Sequence, residues 1–289
     1  MMRIFLSTIF LWPLLVLSSA ESWKVTGVVD AISRDEATIT LRHDGVSGFA
    51  TEPGELSVSI GKGDLAIAEI GTSIRGTLIQ REEALSLENI WPADKTTERS
   101  MMMINRDLTR PRIGSSSKGI LKVGDELPRF ALYNQKGELV TPDDWENKAV
   151  VLNFIFTRSE VPSMSPASTD RMAELQDRLA DAGLADSVCL LSLSLDPEFD
   201  TPGICYDYLQ KRDIDHDSYW LLTGSKKTLD FLTKKIGVVS APSEKTILNH
   251  SMVVVIVDRE GKIFHRIPGT RWKLDDVYNR LEVMLKAWN

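Results

Sequence analysis

Apolar and polar residues alternate with a period of two in the first third of this 289-residue chain. Such alternation predicts β-strands with one buried face, and the Gly, Asp and Pro residues between the stretches predict turns. The alternating stretches are residues 24–31, 37–43, 55–60, 73–80 and 84–89. Five short strands in succession favour a small all-β barrel, which we place at residues 21–93.

The pattern changes to alternating strands and helices after residue 119. We predict strands at 149–156, 188–195, 251–257 and 262–267, and helices at 166–182, 201–211, 226–236 and 274–288. Strands that alternate with helices indicate an α/β domain with a partly parallel sheet, here residues 120–289.

Residues 94–119 form the predicted connection between these two units. Thr96 or Thr97 is expected to cap a helix that runs to about Leu108, with Glu98 in its first turn. The Gly and Ser residues that follow predict a flexible segment.

The first 20 residues have the pattern of a secretory signal. Arg3 supplies a positive charge, residues 4–17 are almost wholly apolar, and Ser18, Ser19 and Ala20 are small residues before a cleavage point. An apolar run of about fourteen residues is short for a membrane span, which needs roughly twenty. We therefore expect an exported, periplasmic protein, with an uncleaved membrane anchor as the alternative.

The net charge and the two cysteines bear on the kind of partner and on disulfide formation. The net charge of −7 argues against a nucleic-acid partner, because such proteins present a basic face. Cys189 starts a predicted strand that extends about 20 Å to Asp196. Cys205 lies about one turn into the helix that begins near Pro202, after the other end of that strand. A disulfide needs Cα atoms within about 7 Å, so we expect two free, buried thiols.

The candidate chemistry lies at the end of the predicted strand 149–156. An apolar strand there runs into a turn and a helix started by Pro166, with Ser159 and Ser165 in between, and Asn249-His250-Ser251 precedes a later strand. With the motifs FIFT, LSLDPEFDTP and VDREGK, this segment resembles the SCO/SenC family of thioredoxin-fold copper chaperones. The resemblance covers residues 123–287 and implies a thioredoxin-like fold.

The same resemblance implies that His250 is the family's third copper ligand and that Ser159 and Ser165 replace its two cysteines. Cu(I) selects thiolate and imidazole ligands, and a serine pair cannot exchange disulfides. The family places three residues between its cysteines, whereas five separate these serines. We therefore expect a binding or assembly protein without enzymatic or redox activity. No cofactor is expected, copper is implied by resemblance alone, and so is a respiratory oxidase as partner.

The β-rich segment resembles the CusF-like periplasmic copper-binding domains. His43 matches the strand-end histidine of those domains, but residues 49–53 contain no methionine where they carry Met-x-Met. Residual Cu(II) binding through His250 and His43, with Asp196, is one alternative, since Cu(II) accepts nitrogen and oxygen donors. A hydrolase that uses Ser159 or Ser165, His250 and Asp196 is the other, although no Gly-x-Ser-x-Gly motif is present.

Structural roles compete with these functional ones. Ser165 is expected to be the N-cap of the helix that Pro166 starts, and Asp200 or Thr201 the cap of the next helix. His43, His216 and His265 are expected to be solvated surface residues.

Overall fold

The computed structural model describes residues 21–108, 119–238, 240–241, 249–250 and 252–288. The predicted signal segment and the Gly/Ser-rich residues 109–118 lie outside the described residues. Within the described residues, no helix combines the length and the apolar character that a membrane crossing requires.

The N-terminal strands form a closed barrel in the order β1-β2-β3-β5-β4. Their bounds are β1 (Glu21–Ser33), β2 (Thr38–His43), β3 (Gly54–Ile60), β4 (Ser73–Arg81) and β5 (Ala84–Pro92). The apolar residues of the alternating pattern point into the barrel, where Val29, Leu41 and Leu78 are fully buried in the core. A short helix, α1 (Lys62–Ile67), crosses between β3 and β4 and was not predicted.

The connecting helix α2 (Lys95–Leu108) touches both units. Its N-terminus is capped by Asp94, which accepts from Thr97 N at 2.7 Å, so the predicted cap at Thr96 or Thr97 is wrong. Glu98 lies in the first turn, as predicted, and pairs with Arg75 of the barrel. Near the other end, Asn105 donates to Ala131 O at 2.8 Å and accepts from Ala131 N at 2.9 Å.

The C-terminal unit is a five-stranded sheet in the order β10-β9-β8-β13-β14, with helices on both faces. Its strands, and the short pairs beside it, are β6 (Leu132–Tyr133), β7 (Leu139–Val140), β8 (Ala149–Ile155), β9 (Val188–Ser194), β10 (Tyr219–Leu222), β11 (Ser240–Ala241), β12 (Asn249–His250), β13 (Val253–Val257) and β14 (Ile263–Pro268). Its helices are α3 (Ser165–Asp181), α4 (Pro202–Gln210), α5 (Lys226–Ile236) and α6 (Leu274–Lys286). Strands β8, β9 and β10 are parallel and β13 and β14 are antiparallel, which confirms the partly parallel sheet.

The sheet is buried on both faces. Helices α3, α4 and α6 cover one face with Met172, Tyr208 and Leu281. Helix α5 covers the other with Leu229 and Leu232. All seven residues of β8 are buried, as expected for a central strand with helices on both sides.

One polar network crosses this apolar interior. Asn153 of β8 donates to Ser168 Oγ of α3 at 3.0 Å and accepts from Ser192 Oγ of β9. Ser192 also bonds Tyr219 Oη at 2.5 Å, and Trp272 Nε1 donates to Ser168 Oγ at 3.2 Å. Each of these buried groups therefore has a hydrogen-bond partner, as burial without large cost requires.

The two cysteines are free and buried, as predicted. Burial raises the pKa of the Cys189 thiol to about 12, and burial also raises the pKa of the Cys205 thiol well above its usual value. Both side chains therefore stay protonated and unreactive in the folded protein.

Candidate functional site

Three strand ends meet at one edge of the sheet. Strands β8 and β9 are parallel and in register from Ala149↔Val188 to Ile155↔Ser194, so their carboxyl ends share an edge. Strand β13 runs antiparallel to β8 with Val255 opposite Leu152, which brings the amino end of β13 to that same edge. The loop that carries Ser159, the loop that carries Asp196 and the backbone leading from His250 therefore come together by topology.

Ser159 and Ser165 both lie against Phe156, the residue that follows β8. Ser159 N donates to Phe156 O at 3.4 Å, and Ser165 Oγ accepts from Phe156 N at 3.3 Å. The loop between the serines thus folds back to its starting point. Ser165 is fully buried, whereas Ser159 is partly exposed, with a buried Oγ that has no hydrogen-bond partner in the described part of the chain.

The predicted capping role of Ser165 is wrong. Helix α3 begins at Ser165, its N-cap is Met164, and no side chain caps it. The Ser165 hydroxyl instead accepts from Phe156 N at the end of the preceding strand. The amides of Ala167 and Ser168, with which a capping hydroxyl would bond, donate to Pro162 O and Met164 O. The hydroxyl thus ties the strand end to the helix start.

Asp200 holds the loop after β8 against the end of β9, and the sequence did not single it out as a site residue. Its carboxylate accepts from Thr157 Oγ1 at 2.5 Å, from Thr157 N at 3.3 Å and from Ser194 Oγ at 2.6 Å. Thr201, the neighbour, is the residue that caps α4, by accepting from Ile204 N at 3.4 Å. Burial raises the pKa of the Asp200 carboxyl to about 6, against the lowering effect of its hydrogen bonds.

The carboxylate of Asp196 is engaged by an arginine. Asp196 is 8% exposed, and its Oδ2 accepts from Arg158 Nε at 2.6 Å. The Arg158 guanidinium also stacks over the Phe199 ring at 4.6 Å. Asp196 therefore holds the loop beside Ser159 through its ion pair with Arg158.

The histidines differ from the surface residues that the sequence predicts. His43 is 3% exposed, and its Nδ1 accepts from Gly45 N at 3.1 Å, so its predicted solvation is wrong. His216 stacks on Tyr206 at 4.3 Å, and both its ring nitrogens are buried without a hydrogen-bond partner among the described residues. Burial lowers the pKa of His216 and also that of the half-buried His265. His43 lies at the end of β2 in the barrel.

The structure describes His250 by its backbone, which pairs with Ser240 in the antiparallel β11–β12 ladder. In the ranges that the structure covers, no group of three or more His, Cys, Asp or Glu side chains could hold a metal ion. The oxygen donors at the described edge are hard ligands, two of which, Ser165 and Asp196, already have partners.

A sheet of this order, covered by helices on both faces and carrying a strand–turn–helix loop at its edge, defines a thioredoxin-like protein. The SCO1/SenC family model matches residues 121–286, which is more than half of the chain. The chain belongs to the SCO1/SenC family.

Individual relatives agree with this assignment. The SCO1 protein homolog of Bacillus subtilis is 26% identical over 141 residues, which cover 48% of this chain and 71% of that protein. Protein sco1 of Schizosaccharomyces pombe is 25% identical over 199 residues, or 66% of this chain and 68% of that protein.

A solved SCO1/SenC family lipoprotein from Bacillus anthracis superposes with a TM-score of 0.51 at 24% identity, over 55% of this chain and 95% of that chain. BsSco, described as a member of the Sco family of cytochrome c oxidase assembly proteins, superposes at 0.50 and 24% identity, over 57% of this chain and 96% of that chain. At this identity the two structures show the fold alone.

Proposed function

We propose that this chain is an exported SCO1/SenC protein that has lost the thiol chemistry of its family and acts as a binding or assembly protein. The observation that carries the proposal is the pair Ser159 and Ser165, which both contact Phe156 at the sheet edge. These positions have the placement expected of the family's two cysteines, one in the loop after β8 and one at the start of α3.

The donor chemistry supports loss of Cu(I) handling. A serine hydroxyl is a hard, neutral donor, whereas Cu(I) prefers thiolate and imidazole. Ser165 Oγ is moreover already the acceptor for Phe156 N at 3.3 Å, so a metal at that oxygen would compete with this hydrogen bond. Neither remaining cysteine can compensate, because Cys189 and Cys205 are buried with raised pKa values.

The partner we propose is a protein of respiratory oxidase assembly. BsSco is described as a cytochrome c oxidase assembly protein, and the Bacillus anthracis relative as a lipoprotein. Residues 1–20 support export into the periplasm, either as a cleaved signal or as an anchor. We propose that the barrel is a CusF-like domain that has also lost part of its copper site. His43 is buried, and residues 49–53 contain no methionine.

The alternatives have less support. Residual Cu(II) binding would use His250 and His43, and the His43 Nδ1 already accepts a hydrogen bond from Gly45 N. Asp196, the additional oxygen donor, is paired with Arg158 at 2.6 Å. A hydrolase would need a base for Ser159 Oγ, and that atom has no hydrogen-bond partner within the described residues.

The test restores the missing ligands. The double change Ser159→Cys plus Ser165→Cys should bind Cu(I) in competition with a Cu(I) chelator, whereas wild type should bind weakly because it has no thiolate at the site. Adding His250→Ala should weaken the restored site. A matched control is Ser159→Cys plus Ser163→Cys, which has the usual three-residue spacing but places the second thiol on an exposed loop position.

Each outcome decides a separate point. Strong competition by wild type would refute the loss of Cu(I) binding. No gain in the Ser159/Ser165 variant, or an equal gain in the Ser159/Ser163 variant, would refute the assignment of Ser165. No effect of His250→Ala would refute its role as third ligand.

A further inference from the structure

The barrel and the C-terminal unit touch through a contact between α1 and α4 that has room only for glycine. A Cβ atom added to Gly63 would lie 1.9 Å from Gly203 O, and one added to Gly203 would lie 2.2 Å from Asp64 Oδ1. Real Cβ atoms do not approach other atoms so closely, so the two helix backbones are in direct contact. Both glycines are buried.

A carboxyl group lies in this contact. Asp64 Oδ1 is buried, faces Gly203 of α4, and has no hydrogen-bond partner in the described part of the chain. A carboxylate oxygen that is buried without a donor is costly when the group is ionised, so this position favours the neutral acid. The contact between the two units is therefore most stable when Asp64 is protonated.

The charged groups around Asp64 reinforce this preference. The negative charges of Asp207 of α4 and Glu88 of β5 oppose its ionisation. A cleft of about 490 Å³ adjoins the contact, and Asp64, Glu69, Lys136 and Glu138 line it. Lys136 is no counter-ion for Asp64, because its ammonium is bound by Asp217.

Two further charges lie nearby. Arg34 donates to Leu65 O at 2.9 Å, which holds the backbone of α1 to the barrel, and Lys62 of α1 is exposed. Neither makes a hydrogen bond with the buried oxygen of Asp64.

We propose that Asp64 is a proton-controlled latch between the barrel and the C-terminal unit: α1 docks on α4 when Asp64 is neutral and separates when it is ionised. The latch acts next to the candidate site, because α4 starts two residues after Asp200, which holds the loop of Thr157. Protonation thus sets how firmly the barrel holds the first turn of α4.

The size of the effect follows from linkage. Burial raises the pKa of Asp64 from 3.8 to about 7 in the docked form, whereas a separated, solvated Asp64 has the ordinary value. The docked form binds more protons, so docking weakens as the pH rises from about 4 to about 7 and is constant above that range. The docking constant should fall roughly tenfold from pH 6 to pH 8, and on the order of 90-fold from pH 5 to pH 8.

Hydrogen exchange on the full chain tests this proposal. Protection of α1 and of the first turn of α4 is measured from pH 5 to pH 8, corrected for intrinsic exchange, with β4 as the internal reference. In wild type both sides of the contact should lose protection together, roughly tenfold from pH 6 to pH 8. Asp64→Asn should abolish this pH dependence, because the amide does not titrate.

The controls separate the latch from general pH effects. Glu69→Gln makes the same charge change on an exposed residue of the cleft and should behave as wild type. Asp207→Asn removes one group that opposes ionisation, so docking should persist to higher pH. Gly203→Ala should expose both sides even at pH 5. The proposal is overturned if wild type shows no pH dependence, if Asp64→Asn retains it, or if Gly203→Ala leaves protection at pH 5 unchanged.

Discussion

Replacing Asp200 by asparagine should change how the stability of the protein depends on pH. The fully buried Asp200 carboxylate accepts from Thr157 Oγ1, Thr157 N and Ser194 Oγ. An asparagine keeps the size of the side chain and one acceptor oxygen, but it carries no charge and does not titrate. The comparison between the two residues therefore isolates the cost of the buried charge.

The magnitude follows from the pKa. Burial raises the pKa of Asp200 from 3.8 to about 6, so the ionised form is disfavoured in the folded protein. The group stabilises the fold most below pH 4, and this contribution is lost as the pH rises from about 4 to about 6. A shift of this size corresponds to about 3 kcal/mol of unfolding free energy at pH 7. The asparagine loses about 1 kcal/mol of hydrogen bonding at every pH.

Urea denaturation followed by circular dichroism at pH 4.5, 5.5, 6.5 and 7.5 measures this difference. Asp200→Asn should be about as stable as wild type at pH 4.5, because the wild type has already lost about 1 kcal/mol there, and about 2 kcal/mol more stable at pH 7.5. Asp64 titrates in both proteins and cancels in the comparison. Asp143→Asn, at a position with a 65% exposed side chain, is the control, and its stability should depend on pH as that of wild type does. Parallel stability curves for wild type and Asp200→Asn would contradict the cost assigned to the buried charge.

Two further predictions concern the thiols and the division of the chain. A thiol reagent should leave native Cys189 and Cys205 unmodified and should label both after denaturation without reductant; a mass change on reduction would show a disulfide instead. Limited proteolysis should cut first within residues 109–119, where the sequence is rich in Gly and Ser, and should leave two stable fragments. Early cuts within β8 or β9 would refute that division.

Long periodic segments were predictable from the sequence, and short ones were not. The wholly apolar run of β8 and the spacing of α3, α5 and α6 identify those elements, because each buries a face long enough to leave a pattern. Strand β10 has four residues and α1 has six, and α1 contains Gly63 in its first turn. A strand of four residues and a helix of fewer than two turns are too short to show a period, so tertiary contacts decide them.

The candidate site was predictable in its placement and not in its hydrogen bonds. Strand order and motif order bring Ser159, Ser165 and Asp196 to one edge. The partners depend on distances that a sequence does not contain: Ser165 bonds Phe156 and does not cap α3, and Arg158 takes Asp196. The buried role of Asp200 left one signal, an aspartate directly before the capping Thr201, which frees Asp200 from the helix end.

Asn153 of β8 solves a problem of alignment that the apolar residues cannot solve. A strand that is buried on both faces still presents apolar side chains to both faces if it shifts by one residue against its neighbour. Burial alone therefore does not determine the register of β8. Asn153 lies opposite Ser192 in the ladder with β9 and accepts a hydrogen bond from that serine. A shift in register would leave the side-chain amide of Asn153 in an apolar environment without its hydrogen-bond partner on β9. One polar residue thus makes a single alignment of the central strand lower in energy than its neighbours, and with it fixes where the strand ends and the loop of Ser159 begins.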